Sequence, residues 1–497
     1  MRSLGIEILK ETFDDAERDA FAAKLQRCLE AMRELLARPG FGEGPPSVGA
    51  EVELDLVDAA GRPAPVNRAV LAATNDPRVT LEVDRFNLEI NASPAPLAGR
   101  PFTFMAGDLS AALAATRKAA HEHGARVATI GILPTFREDD LRSDALTDGV
   151  RYRALSRSIL QVRGQPFPVR IQGEDALDVV APDVTFEGAN TSLQVHLRVT
   201  PDAFARTYNA ALLATAVVLA VSGNSPFFLG KRLWDETRIA LFRQTVDDRA
   251  GALDDDWRPA RVSFGHGWVR RGALELFEEA VALHAPLLPV CDAQDPIAEL
   301  RAGRAPELRE LRLHQGTVWR WNRAIYDHDG GGHLRIELRA FPSGPTVRDM
   351  TANAAFAVGL TLALAGEAER LVTQMTFGQA RRNFYEAARR GLDAELLWPS
   401  AGPPSPRVQD AATLAVALLP RARAGLVDHG VEASEADAWL EVIRARVEAR
   451  TTGARWLRDA RAVLGEDAWA GRGAADALAR YVALSEGDEP VHAWPRF

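Results

Sequence analysis

Apolar residues first recur at helical spacing: Phe21, Leu25, Cys28, Leu29, Met32 and Leu36 predict an amphipathic helix over 14–37. Arg38-Pro39-Gly40 stops it, and the Pro/Gly-rich stretch to Pro46 reads as a loop. The period then falls to two, and SVGAEVELDLVD predicts a strand over 47–58. A short helix over 66–76 and a hairpin over 79–92, turning at 84–87, follow. A helix over 106–123 stops at Gly124, and RVATIGIL over 126–133 is a β-branched, buried strand. Residues 134–190 read as loops with short helices, one of them the arginine-rich 149–161. Ser192–Val199 alternates cleanly, with Gln194, His196 and Arg198 on one face. Thr200-Pro201 caps a buried helix over 201–221, which ends in a turn-rich segment over 222–230. The glycine run Gly330–Gly332 is a hairpin turn before the last strand, 335–341. A long apolar helix over 349–372 comes next, and from about 380 the pattern is helical, Ala/Arg/Glu-rich and without strands.

Strands and helices therefore mix without regular βαβ alternation, which predicts an α+β fold with a mainly antiparallel sheet. The order divides into an N-terminal helix and linker (1–46), a sheet-bearing domain (47–375) and a C-terminal helical region (380–497), with 399–406 as a linker. The chain has 497 residues, 47% hydrophobic and 26% charged, as in ordinary globular proteins. Its net charge of −9 argues against a general nucleic-acid binder. Basic residues are almost all arginine, a fork suited to carboxylates and phosphates; the lysines are Lys10, Lys24, Lys118 and Lys231. Cys28 belongs to the helical stripe and Cys291 has no base beside it, so the two make neither a disulfide framework nor a zinc site. The N-terminus has no secretory pattern and the longest apolar runs, 210–221 and 352–365, fall short of a membrane span. The expectation is a cytoplasmic protein with small-molecule partners, no membrane, and an open oligomeric state. No P-loop and no dinucleotide fingerprint occur.

The charged residues inside the strands change the picture. Glu51 and Glu53 share one face of the first strand, and Glu337 and Arg339 share one face of the last. Glu82 and Glu89 lie in the hairpin, and His196 lies in Ser192–Val199. Ionised carboxylates are seldom buried without partners. Several on one sheet face would repel unless hard cations such as Mg²⁺ sat between them. Each residue also has a plainer role open to it. Glu51, Glu53 and Glu89 could line a solvated edge, His196 could be a core histidine, and Glu82, or Glu337 with Arg339, could form cross-strand ion pairs. Arg323 in WRWNR could stack on its tryptophans. His121 and His123 read as a solvated helix end, Asp254–Asp256 as a charged loop, and His266 as a turn residue. Arg151, Arg153 and Arg157 could meet a carboxylate or ATP, or simply face solvent.

Five motifs occur in a set order over about 45–350: GAEVEL (49–54), NLEINASP (87–94), SLQVHL (192–197), SGNSPF (222–227) with Arg238 downstream, and RIELR (335–339). Together they resemble the glutamate–cysteine ligases, especially the branch shared with bacterial carboxylate–amine ligases. The resemblance implies a glutamine-synthetase-like fold, a curved antiparallel sheet forming an open half-barrel with helices outside. It also implies Glu51, Glu53, Glu82, Glu89, His196 and Glu337 as metal ligands. Arg339, Arg238 and Arg323 fall where the family contacts phosphate, and Arg339, Arg238 and Glu53 would border the nucleotide. The implied activity is an ATP- and Mg²⁺-dependent ligase that activates a carboxylate, the glutamate γ-carboxylate, as an acyl phosphate and joins it to an amine such as that of cysteine, as in glutathione biosynthesis. The stretch AFPSGPT (340–346) and the helical tail depart from the family, marking a divergent branch whose acceptor is open. Two other functions share the fold or the pocket: a guanidino-kinase-type phosphotransferase, and a non-catalytic nucleotide-binding regulator.

Overall fold

A computed structural model describes residues 8–249, 258–400 and 402–497. The first helix forms as Asp15–Leu36, capped by Asp14, whose side chain accepts from the Glu17 N–H while the Glu17 side chain accepts from the Asp14 N–H. Its stripe of Phe21, Leu25, Cys28, Leu29 and Met32 is buried as the spacing requires.

The strands that matter form one eight-stranded antiparallel sheet curled into an open half-barrel. In chain order they are β1 (Ser47–Val57), β2 (Val79–Leu81), β3 (Asn87–Asn91), the two-residue β4 (Ala95–Pro96) and β5 (Arg126–Ala128). After a separate hairpin of β6 (Phe167–Gln172) and β7 (Ala176–Ala181) comes β8 (Ser192–Val199). A small ribbon, β9 (Phe227–Phe228) with β10 (Lys231–Arg232), precedes β11 (Asn322–Asp327) and β12 (His333–Pro342). The spatial order is β11-β12-β8-β1-β3-β2, with β4 and β5 pairing along β1. Val48, Ala50, Val52, Leu54 and Leu56 of β1 are buried, while Glu51 and Glu53 are half-buried on the other face. Helices Pro201–Ala220 and Val347–Ala365 pack on each other and behind β8 and β12, with nearly every residue buried. The first is long and apolar enough to cross a bilayer by composition, yet 83% of its most apolar stretch is buried inside the protein.

Several elements differ from the sequence expectation. The helix assigned to 106–123 begins at Pro101, where proline's fixed φ suits a first turn. The strand assigned to 126–133 pairs only through Ala128; beyond it, the Gly131 N–H donates to the Asn224 carbonyl of the 222–230 loop. The 134–190 region holds the β6–β7 hairpin as well as helix Val150–Arg163. The helix assigned to 349–372 is two, Val347–Ala365 and Ala368–Gln374, broken at Gly366. The tail is not strand-free: β13 (Glu395–Trp398) and β14 (Arg407–Asp410) form a hairpin, and 399–406 is its loop.

The C-terminal helices press closely on the core. Helix Ala411–Val427 crosses Val347–Ala365 at two glycines, where a Cβ on Gly425 would stand 2.2 Å from the Gly359 carbonyl oxygen. Arg446, from helix Ala433–Glu448, reaches the buried Asp349 at 2.8 Å and Asn353 at 2.6 Å.

Candidate active site

The antiparallel register places the chemistry-bearing side chains in rows across the concave face. Arg323 on β11 is opposite Glu337 on β12, Glu337 is opposite His196 on β8, and His196 is opposite Gly49 on β1. In the next row Gln194 pairs with Glu51, and Glu51 with Asn91. In the third, Glu53 pairs with Glu89 and Glu89 with Thr80. Residues two apart on a strand share a face, so the rows stack into one patch flooring a cavity of about 700 Å³. Tyr152, Leu155, Phe277, Leu313, Trp319 and Tyr326 supply its apolar wall.

Within this patch the six acidic and imidazole side chains sort into two triads. One ligand atom from each of Glu51, His196 and Glu337 lies within 4.8 Å of the other two, and the same holds for Glu53, Glu82 and Glu89. His196 Nε2 is 3.1 Å from Glu51 and 3.8 Å from Glu337. Neither nitrogen of this buried ring makes a hydrogen bond. Glu53 accepts from the Ser192 N–H at 2.7 Å and from Gln194 Nε2 at 2.9 Å, which fixes its carboxylate on the face. Glu89 accepts from Asn91 Nδ2 at 2.7 Å, and Glu82 from the Val83 N–H at 3.1 Å.

The arginines lie beside the carboxylates. Arg323 makes a two-pronged contact with Glu337, Nε to Oε2 at 2.8 Å and Nη2 to Oε1 at 2.9 Å, rather than a stack on its tryptophans. Arg339 lies 4.0 Å from Glu337 and over the Phe242 ring. Arg238 is outside the main cavity. It lines an adjoining small recess with Glu53, Glu187 and Arg339, held by Glu236 at 2.9 Å and the Ala340 carbonyl at 3.2 Å.

The two triads are poised differently. Burial pushes the Glu337 carboxyl up, but Arg323, Arg339 and His196 outweigh it and leave it at about 2. Burial also opposes ionisation of Glu51, yet the neighbouring His196 brings it below the ordinary value. In the other triad repulsion adds to burial. Glu82 is pushed up to about 8 by burial and then by Glu53 and Glu187, and Glu89 rises well above its usual range by burial and by Glu51, Glu82 and Glu53. Glu53 is raised by burial despite Arg339 and Arg238. Either triad offers the donors a hard cation needs.

A family comparison settles what this arrangement belongs to: glutamate-cysteine ligase family 2 matches residues 47–476. The chain belongs to that family. Its fold is shared with a glutamate–cysteine ligase from Francisella tularensis solved in complex with AMP, at a TM-score of 0.54 and 12% identity, over 91% of this chain and 96% of that one. A bifunctional glutathione synthetase from Pasteurella multocida aligns at a TM-score of 0.48 and 11% identity, over 94% of this chain and 55% of the other. No curated protein sequence matches the chain. The α+β half-barrel expected from the motifs is thus the fold this ligase family member has.

Sequence reasoning missed one acidic residue of the site. Glu187, on the short helical turn Thr185–Gly188, lines both recesses and is raised to about 8 by burial and by Glu53. A lone glutamate outside a strand carries no periodic signal. Arg151 lines the cavity, whereas Arg153 and Arg157 each pair with Glu11 at 2.5 Å. His266 sits 3.6 Å from Glu279, His121 and His123 are exposed, and Asp254–Asp256 lie outside the described residues. Cys28 is buried and Cys291 exposed.

Proposed function

We propose that this ligase-family enzyme uses ATP to activate a carboxylate, the γ-carboxylate of glutamate, and joins it to an amine in the glutamate–cysteine ligase manner. The observation that carries the proposal is the pair of triads flanked by Arg323 and Arg339 in one cavity. Mg²⁺ fits the donors present: five carboxylates, and one buried imidazole whose nitrogens have no hydrogen bond. When bound there it would supply positive charge against the phosphates of the nucleotide. Glu51, His196 and Glu337 would hold one ion, and Glu53, Glu82 and Glu89 another. The AMP in the Francisella enzyme supports nucleotide binding.

In the first step a carboxylate oxygen of the substrate attacks the terminal phosphorus of ATP. The new O–P bond forms as the bond to the bridging oxygen breaks, and ADP leaves. Arg339 and Arg323, pinned beside Glu337, meet the charge on the transferring group, and Arg238 holds the adjoining recess from behind Glu53. In the second step the amine nitrogen attacks the acyl carbon, the C–O bond to phosphate breaks with its electron pair, and the amine's proton passes to the departing phosphate. The apolar wall of Tyr152, Leu155, Phe277 and Trp319 keeps water from the acyl phosphate. The same proposal places the work in the cytoplasm and assigns it to 47–375, with 380–497 as a helical buttress.

Glutamate labelled with ¹⁸O in its γ-carboxylate tests both steps. With ATP, Mg²⁺ and a panel of amines including cysteine, mass spectrometry should find an amide product and one ¹⁸O in the released phosphate. ADP formation should require both co-substrates. A stable phosphorylated product with a single acceptor would replace the ligase with a phosphotransferase, and ATP binding without turnover would leave only a regulator.

A further inference from the structure

Asp84 lies in the loop joining β2 to β3 and is 0% exposed. Neither of its carboxylate oxygens has a hydrogen-bond partner, and among the described residues it makes no ion pair. Asp55 on β1 and Asn87 on β3 stand opposite each other in register, both buried. Asn87 Nδ2 donates to Asp55 Oδ1 at 2.7 Å, which orients the amide and leaves its oxygen as the free end. That oxygen and Asp55 Oδ2 also lack partners. Gly188 lies against two of these oxygens: a Cβ on it would stand 2.4 Å from Asp84 Oδ2 and 3.1 Å from Asn87 Oδ1. They crowd a space that no side chain at 188 could share.

Unpartnered buried oxygens are costly, and acceptors cannot satisfy one another. One shared proton would serve a single pair of oxygens. A hard cation serves all of them, and two carboxylates balance a divalent charge. The all-oxygen donor set disfavours metals that prefer sulfur or imidazole. We propose that Asp55, Asp84 and Asn87, closing over Gly188, form a buried structural site for a divalent hard cation, distinct from the two triads of the cavity. Such an ion would tie β1 to the β2–β3 loop, and so fix the strands that carry Glu51, Glu53 and Glu89 and the loop that carries Glu82. The proposal does not rest on the ligase reading.

Crystals of the full chain grown with MnCl₂ test it by anomalous scattering. The expected result is a peak within about 2.0–2.6 Å of Asp55, Asp84 and Asn87 oxygens. Peaks only at the triads, or none, would overturn the site. Thermal melting gives an independent readout in a Glu53→Gln/Glu337→Gln background, where each triad has lost a carboxylate. There Mn²⁺ at a hundredfold excess over its Kd should still raise Tm by about 2–3 °C, and adding Asp84→Asn should abolish the rise. A rise that survives Asp84→Asn refutes the site. If Asp84→Asn does not fold, Asp55→Asn replaces it, and the crystallographic peak in the unaltered chain decides the matter alone.

Discussion

Metal binding to the two triads should differ in its coupling to protons, and the difference follows from their neighbours. Glu82 is held at about 8 by burial, Glu53 and Glu187, so at pH 7 it is about nine-tenths protonated. Glu89 lies well above its ordinary range for the same kind of reason. A hard cation binds the carboxylate form, so Mg²⁺ entering the Glu53–Glu82–Glu89 triad must expel the proton that Glu82 holds at pH 7 and any held by Glu89 and Glu53. Its affinity there should climb with pH, by up to about tenfold per pH unit below about 8 from Glu82 alone, and more steeply where Glu89 contributes. Glu337, at about 2, and the lowered Glu51 are already ionised, so the other triad expels no carboxyl proton. The sign for stability runs the same way. An acid raised in the folded state favours the fold while protonated, and that contribution is lost as pH rises through its folded value. Without metal, therefore, the Glu82 contribution should make Tm fall as pH rises from about 4.5 towards 8 and level off above it, and Mg²⁺ should restore it. Isothermal titration of Mg²⁺ in buffers of different ionisation enthalpy, at pH 6.5, 7.5 and 8.5, measures the protons directly. Two sites with pH-independent affinity and no proton release would refute the reasoning, and Glu82→Gln should weaken this site and lower its proton release, leaving the contribution of Glu89.

Other perturbations probe the same structure. Glu53→Gln keeps the shape but removes one anionic donor, so turnover should fall on the order of a hundredfold or more with Tm little changed; unchanged turnover would remove Glu53 from the site. Arg323→Lys replaces a two-pronged contact with a single charge, and kcat should drop roughly ten- to a hundredfold in steady-state assays. Arg446→Ala strands Asp349 in the core at a cost of about 3–5 kcal/mol. With about 2.1 cal/mol/K of unfolding entropy per residue over 497 residues, the melt should fall by about 3–5 °C. Gly359→Ala would put a Cβ 2.5 Å from the Ala422 carbonyl oxygen, and calorimetry should find roughly 1–3 kcal/mol of destabilisation from prising the two helices apart.

What the sequence made legible and what it hid follow from one physical distinction. A strand's period of two says which of its own residues share a face, so Glu51 with Glu53, and Glu337 with Arg339, could be paired from spacing alone. Register between strands is not written locally. Only the fold brings Glu337 opposite His196 and Glu53 opposite Glu89, and that opposition, more than the spacing, makes the triads. Elements without contrast stayed hidden. β11 follows a tryptophan-rich segment, and although its first positions alternate between buried and half-buried, the residues Asn322–Asp327 show little apolar–polar alternation. The β13–β14 hairpin is short and its loop is full of proline, so helical composition around it masked both strands. Glu187 and Gly188 belong to a turn that folds over the sheet. Their effect on Glu53 and Asp84 is an effect of closeness across the chain, to which no period points. The acidic face could therefore be anticipated as a set of like charges needing cations. The division of those charges into an already ionised triad and a proton-holding one depended on which loop and which arginine happened to lie against each.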